Sequence, residues 1–168
     1  MKFSNGQLPK TEDISNAIVH IYFAASIRGG REDISVYTSL ITHLSKYARV
    51  LTEHVGNRNL AAWGEDGLTD EEIYQRDMGW LASARAVVAE VSNPSLGVGY
   101  EVCAGSLIYH LPTLCLYRKQ EGKRLSAMIA GAPGLIVAPY ESLDDARALL
   151  DQYVPQLLGL PRRHHETS

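Results

Sequence analysis

Short apolar runs alternate with stretches of helical periodicity along most of the chain, and this pattern predicts the elements. Residues 17–25, Ala-Ile-Val-His-Ile-Tyr-Phe-Ala-Ala, read as a central strand, apolar on both faces apart from His20 and the Tyr22 hydroxyl. A basic turn, Ser26-Ile27-Arg28-Gly29-Gly30-Arg31, leads into a predicted helix over 32–47 and a second strand over 48–52 that ends in Glu53-His54. Thr69 with Glu72 three residues on has the capping-box spacing, so a helix is predicted over 70–84, with Ile73, Trp80 and Leu81 as its apolar face. The β-branched run 86–91 predicts a third strand. A small-residue loop, Ser92-Asn93-Pro94-Ser95-Leu96-Gly97, then opens a helix over 98–110 that Leu111-Pro112 ends. Strand 113–117, a short helix over 125–130, strand 134–140 and a helix over 142–158 complete the series, with Ser142 as N-cap and Pro155 disturbing the last helix's end. Five strands alternating with helices predict an α/β fold, a parallel sheet covered on both faces in the flavodoxin-like order 2-1-3-4-5.

Length keeps this to one domain: 168 residues supply one well-filled core and are too few for two ordinary domains. The domain is expected over 17–158, after a polar leader (1–16) and before a tail (159–168) expected to be disordered. A formal charge of −3 gives no footprint for a nucleic-acid backbone. No apolar stretch is long enough to span a bilayer, so neither a nucleic-acid polymer nor a membrane is expected as a partner. The first residues lack the features of a secretory signal, and an intracellular, cytoplasmic protein is expected. Cys103 and Cys115 lie in apolar segments without paired spacing and are expected to be buried free thiols. No metal-ligand pattern is visible, and no metal or cofactor is expected.

Candidate chemistry gathers at the carboxyl ends of the first three strands, where open parallel sheets bind ligands. After the third strand, Gly97 and Gly99 let a ligand approach the backbone, and the helix N–H groups with the Ser95 hydroxyl suit an anion such as phosphate. Glu101 is placed in the first helical turn, where the macrodipole favours its ionised form as nucleophile or base. Arg28 either forks two phosphate oxygens or is a solvated loop arginine, and the adjacent Gly-Gly favours the ligand. His54 either stacks on a base or is merely exposed. Trp63, in the loop 55–67, is either a mobile cover or surface. Asp77 falls on or beside the buried stripe of its helix, which leaves two readings. It pairs with Arg76 or Arg85, or it points into the cleft beside Glu101 with a raised pKa and donates a proton; the second is favoured. Ser126 reads first as a helix start.

Four ordered motifs carry a resemblance. Tyr22-Phe23 with Ser26-Ile27-Arg28-Gly29-Gly30-Arg31-Glu32-Asp33, then Val50-Leu51-Thr52-Glu53-His54-Val55, are similar to the 2′-deoxynucleoside 5′-phosphate N-hydrolases of the nucleoside 2-deoxyribosyltransferase superfamily. Val88-Ala89-Glu90-Val91 leading into Pro94-Ser95-Leu96-Gly97-Val98-Gly99-Tyr100-Glu101, and Arg124-Leu125-Ser126-Ala127-Met128-Ile129, resemble the same family in the same order. The resemblance spans roughly 17–153 and implies hydrolysis of the N-glycosidic bond of 2′-deoxynucleoside 5′-monophosphates, yielding free base and 2-deoxyribose 5-phosphate. It implies Glu101 as the nucleophile that forms a covalent deoxyribosyl-enzyme, Asp77 as the carboxyl that supports departure of the base, and Tyr22 as the residue that orients the nucleophile. Ser26, Ile27, Arg28, Gly29, Ser95, Gly97 and Gly99 fall on phosphate or sugar positions, His54 near the base, and Ser126 on a phosphate contact lent across a homodimer interface. A nuclear as well as cytoplasmic location goes with it.

The chain departs from the family pattern at Ala24-Ala25, where relatives usually have Cys-Gly, and in a shorter loop between His54 and Asp77. Both bear on substrate profile. Three competing functions stay open: base exchange between deoxynucleosides, hydrolysis of ribonucleotides, and a nucleotide- or flavin-binding module without turnover.

Overall fold

The computed structural model describes residues 18–26, 33–52 and 67–160. The strands are β1 (His20–Ala24), β2 (Arg49–Val50), β3 (Ala86–Glu90), β4 (Thr113–Arg118) and β5 (Leu135–Tyr140); the helices are α1 (Ile34–Leu44), α2 (Asp70–Ser83), α3 (Leu96–Cys103), α4 (Ala127–Ala130) and α5 (Leu143–Leu157). All strand pairs are parallel and the sheet runs β2-β1-β3-β4-β5, the order expected from the sequence.

The period-2 geometry of each strand sorts its side chains between two cores. Ile21 and Phe23, Ala86 and Val88, and Leu114 and Leu116 point to one face, where α1 and α5 cover them with Leu40, Leu44, Leu150 and Val154. Tyr22 and Ala24, Val87 and Ala89, and Cys115 point to the other, against Leu81 of α2 and Val98 and Val102 of α3. This second face is covered unevenly. Its β4–β5 side has only the short α4 over it, and Leu135 and Val137 stay half-exposed.

The local signals for helix starts act as read. The Thr69 hydroxyl accepts from the Glu72 N–H while the Glu72 carboxylate accepts from the Thr69 N–H, and Ser142 with Asp145 forms the same reciprocal pair at α5. Pro155 lies inside α5, which continues to Leu157.

Other expectations are corrected. β2 is a two-residue strand, because the backbone turns away after Val50. α3 starts at Leu96, not at residue 98: the Ser95 hydroxyl accepts from the Val98 N–H and sets the start two residues earlier. Glu101 is therefore the sixth helical residue, beyond the first turn. The helix widens into π-helical turns over Ala104–Ile108 and stops at His110, whose φ is +53°. Cys103 is exposed and Cys115 buried, so one of the two expected buried thiols faces outward. The leader, the tail beyond residue 160, the basic turn with Ile27, Arg28 and Gly29, and the loop with His54 and Trp63 lie outside the described residues.

Candidate active site

Tyr22 and Glu101 meet although 79 positions separate them in sequence. β1 aims Tyr22 at the α2–α3 face, and its hydroxyl donates to Glu101 Oε1 at 2.9 Å. The tyrosine is fully buried, at 1% exposure. Burial, then the nearby charges of Glu101 and Asp77, hold the phenol far above its ordinary pKa, so it remains an O–H donor. Burial also pushes the Glu101 carboxyl up to about 7; the Asp77 charge adds to the rise and the Tyr22 hydrogen bond opposes it. The sequence reading put the ionised carboxylate at Glu101 and the desolvated one at Asp77. The structure places the desolvation at Glu101, which lies beyond the first turn of α3 and against the buried Tyr22.

Asp77 comes from α2 and acts on both members of the pair through its charge. Its Oδ1 accepts from Arg76 Nε at 2.9 Å and Nη2 at 2.8 Å, the pairing that the sequence reading ranked second. The ion pair with Arg76 is formed, and the Asp77 charge still bears on Glu101. The Arg76 guanidinium stacks 4.5 Å above the Trp80 ring one turn on, which fixes it in place. Nearby, the exposed rings of Tyr74 on α2 and Tyr100 on α3 meet edge to face, their hydroxyls 3.3 Å apart. This tyrosine pair was not read from sequence as part of the site, although helical spacing puts Tyr74 one turn before Asp77.

The anion-side residues follow the same sheet end. Ser26 is buried at the end of β1. Thr52, just past β2, donates to the Phe23 carbonyl at 2.6 Å and accepts from the Phe23 N–H at 2.9 Å, which closes the β1–β2 edge beside it. Ser95 caps α3. Gly97, the second helical residue, presents an open face, since an added Cβ would meet only Ser95 Oγ at 3.8 Å. Gly99 also has open space, but its N–H is committed to the Ser95 carbonyl at 3.1 Å. Ser126 is exposed at the start of α4 and makes no capping bond there.

A cleft of about 920 Å³ runs between α3 and α4, lined by Ser95, Gly99, Cys103, Leu107, Ser126 and Met128 among others. It does not include Tyr22, Asp77 or Glu101, because Glu101 projects from the opposite side of α3. Sequence reasoning also missed a buried polar cluster around Glu90, which lies within an otherwise apolar strand run. A charge in a doubly covered strand was the available signal. Among the described residues no group of three or more His, Cys, Asp or Glu could hold a metal ion, and no helix is long and apolar enough to cross a membrane.

A parallel five-stranded α/β sheet with a tyrosine-bound carboxylate at its carboxyl end defines the class. In fold the chain matches the structure of the Clostridium botulinum CMP N-glycosidase BcmB, with a TM-score of 0.59 and 16% identity over 80% of this chain and 98% of that one. In sequence it is 43% identical over 142 residues to the 5-hydroxymethyl-dUMP N-hydrolase of Danio rerio, which covers 83% of this chain and 98% of the relative. It is 45% identical over 137 residues to the human protein of the same name, covering 79% and 78%. The chain belongs to the 2′-deoxynucleoside 5′-phosphate N-hydrolase family. No family model matches it.

Proposed function

We propose that this protein hydrolyses the N-glycosidic bond of 2′-deoxynucleoside 5′-monophosphates to free base and 2-deoxyribose 5-phosphate. The observation that carries this reading is the buried Tyr22–Glu101 hydrogen bond with Asp77 beside it, in a chain of this family. Glu101, ionised, attacks the anomeric carbon; the C–N bond breaks, its electron pair leaves with the base, and the base takes up a proton. Water then attacks the same carbon, gives up its proton, and releases the glutamate. The transition states carry positive charge on the sugar, which two nearby carboxyl groups stabilise. Tyr22 stabilises the ionised glutamate and fixes its rotamer. Asp77 supports the sugar and the departing base, held through Oδ1 by Arg76.

Ser26, Ile27, Arg28, Gly29, Ser95, Gly97 and Gly99 form the phosphate and sugar side in this reading, and His54 the base side. Ser126 reaches the phosphate of a neighbouring subunit in a homodimer. The relatives' name puts 5-hydroxymethyl-dUMP first among substrates to try.

The test is a panel of deoxy- and ribonucleoside monophosphates, with unphosphorylated nucleosides, assayed for free base. Release from deoxynucleoside monophosphates, abolished in Glu101→Gln with the fold intact, is the expected result. Binding of deoxynucleotides without release over hours would assign a binding module instead. Full activity in Glu101→Gln would remove the nucleophile assignment.

A further inference from the structure

Glu90 ends β3, the central strand, and is 1% exposed. Alternation along the strand sends Val87 and Ala89 to the catalytic face and turns Glu90 to the opposite, α1–α5 face, among Tyr37 and Tyr140. It therefore touches neither Tyr22 nor Glu101. An unsatisfied carboxyl at such a depth would be strongly destabilising, and this one is saturated. Oε1 accepts from the Ser92 hydroxyl in a very short bond and from the Tyr140 hydroxyl at 2.9 Å; Oε2 accepts from the Ser92 N–H at 3.4 Å.

The cluster continues outward along the loops. Ser92 Oγ accepts from the Arg118 N–H at 2.7 Å, at the carboxyl end of β4. The Arg118 guanidinium donates through Nη2 to Asp33 Oδ1 at 2.5 Å, and Asn93 Nδ2 donates to Asp33 Oδ2 at 2.7 Å. Asp33, 5% exposed, is the residue before α1 and the end of the segment that contains Arg28. Ser92 and Asn93 begin the segment that leads to Ser95 and Gly97. One connected set of charges and hydroxyls thus joins the ends of β3, β4 and β5 to the start of α1 and to the loop that opens α3.

Sheet stability does not explain this choice, since an apolar residue in place of a buried charged cluster is often as stable or more so. What the cluster supplies is geometry. We propose that Glu90 is a positioning residue that acts through Ser92, Asn93, Arg118 and Asp33 to hold the β3–α3 loop, with Ser95 and Gly97 at its end, in the register that binds the 5′-phosphate. This inference rests on the function proposed above and adds to it residues that touch no substrate.

Three substitutions separate positioning from bulk stability, and the one at Ser92 has a conservative control. Ser92→Ala removes the hydroxyl that links Glu90 to Arg118, and Ser92→Thr keeps it. Asp33→Asn weakens the outer link, and Glu90→Gln alters the centre. KM for a deoxynucleoside monophosphate is expected to rise about tenfold in Ser92→Ala and Asp33→Asn, with kcat within about threefold. The inhibition constant for inorganic phosphate should rise in parallel, and Ser92→Thr should restore both. Should Glu90→Gln fail to fold, the Ser92 and Asp33 variants still decide the matter. Unchanged KM and phosphate inhibition in folded variants, or a fall in kcat alone, would overturn the proposal. If the wild-type protein released no base from any nucleotide, the proposed function would fall. Calorimetric binding of inorganic phosphate to wild type and Ser92→Ala would then still test positioning, with equal affinities counting against it.

Discussion

In the proposed mechanism a carboxyl group raised to about 7 acts as an ionised nucleophile, and the Tyr22 hydroxyl favours its charged form. That hydroxyl stabilises the charged form of Glu101 at 2.9 Å against burial and the Asp77 charge. The acid limb of kcat/KM is therefore expected near pH 7, with activity rising as pH increases. In Tyr22→Phe the opposing hydrogen bond is gone, so that limb should move to higher pH by about one unit, the scale of a hydrogen bond to a charged group. A pH–rate profile checks this, and an unmoved or lowered limb would show that Tyr22 does not act on Glu101's ionisation. The stability linkage has a definite sign as well. Folding raises this carboxyl's pKa, so the folded state binds the extra proton between the unfolded carboxyl value and about 7. The contribution of Glu101 to stability is therefore most favourable at the acid end of that window and declines as pH rises through it.

At the scale of elements, α3 is held against the sheet by a close approach at Gly105. A Cβ there would meet Val87 Cγ2 at 2.8 Å and Leu81 Cδ1 at 3.5 Å. Val87 is β-branched and sits in the central strand, so it yields little. Gly105→Ala should lower stability by about 1–3 kcal/mol through overpacking, whereas Gly79→Ala, in the exposed middle of α2 with nothing within 4 Å, should raise it by up to about 1 kcal/mol through helix propensity. Paired denaturant titrations would show opposite signs; equal signs would mean that α3 does not depend on the close contact. The contrast also shows which features were legible in sequence. The strand order and the capped start of α2 were, because apolar runs and the Thr69–Glu72 spacing are local signals that packing did not override. The start of α3 was read two residues late, since Gly97 and Gly99 lower helix propensity while the Ser95 cap outweighs them. Cys103 was misplaced because its face of α3 borders the thinly covered side of the sheet, which only the tertiary arrangement reveals. The pairing of Tyr22 with Glu101 came from resemblance to a family, and its geometry agrees. The Glu90 cluster had no such help, as its members are spread from Asp33 to Tyr140 and meet only when the start of α1 and the ends of β3, β4 and β5 converge.

On the scale of the whole molecule, the surface around α3 and α4 is too apolar to be explained by this chain alone. Leu96 is 96% exposed, Met128 81% and Leu107 65%, and all three border the cleft that also contains Ser95 and Ser126. Large apolar patches of this kind mark interaction sites. A second copy is the occupant that fits the proposed function, because a two-fold axis through one self-complementary patch places the α4 of each subunit against the α3 of the other. Ser126 of one subunit would then approach the Ser95 cradle of its partner. For the homodimer proposed above, Leu107→Asp should shift the mass in sedimentation equilibrium from dimer to monomer and weaken affinity for phosphorylated substrate with the fold intact, since Leu107 is 65% exposed in the monomer. Sharing of the site can be separated from mere proximity by complementation. Glu101→Gln subunits lack the nucleophile and Ser126→Ala subunits lack the lent hydroxyl, so each homodimer is impaired at both sites. Co-expressed in equal amounts, they give mixed dimers in which one site has both groups, and about a quarter of all sites should recover wild-type KM by binomial pairing of a two-fold dimer. Recovery at that level requires that Ser126 serve the partner's active site. If the mixture shows only the sum of the two impaired enzymes, Ser126 serves its own subunit or none, and the apolar face has a role in assembly alone.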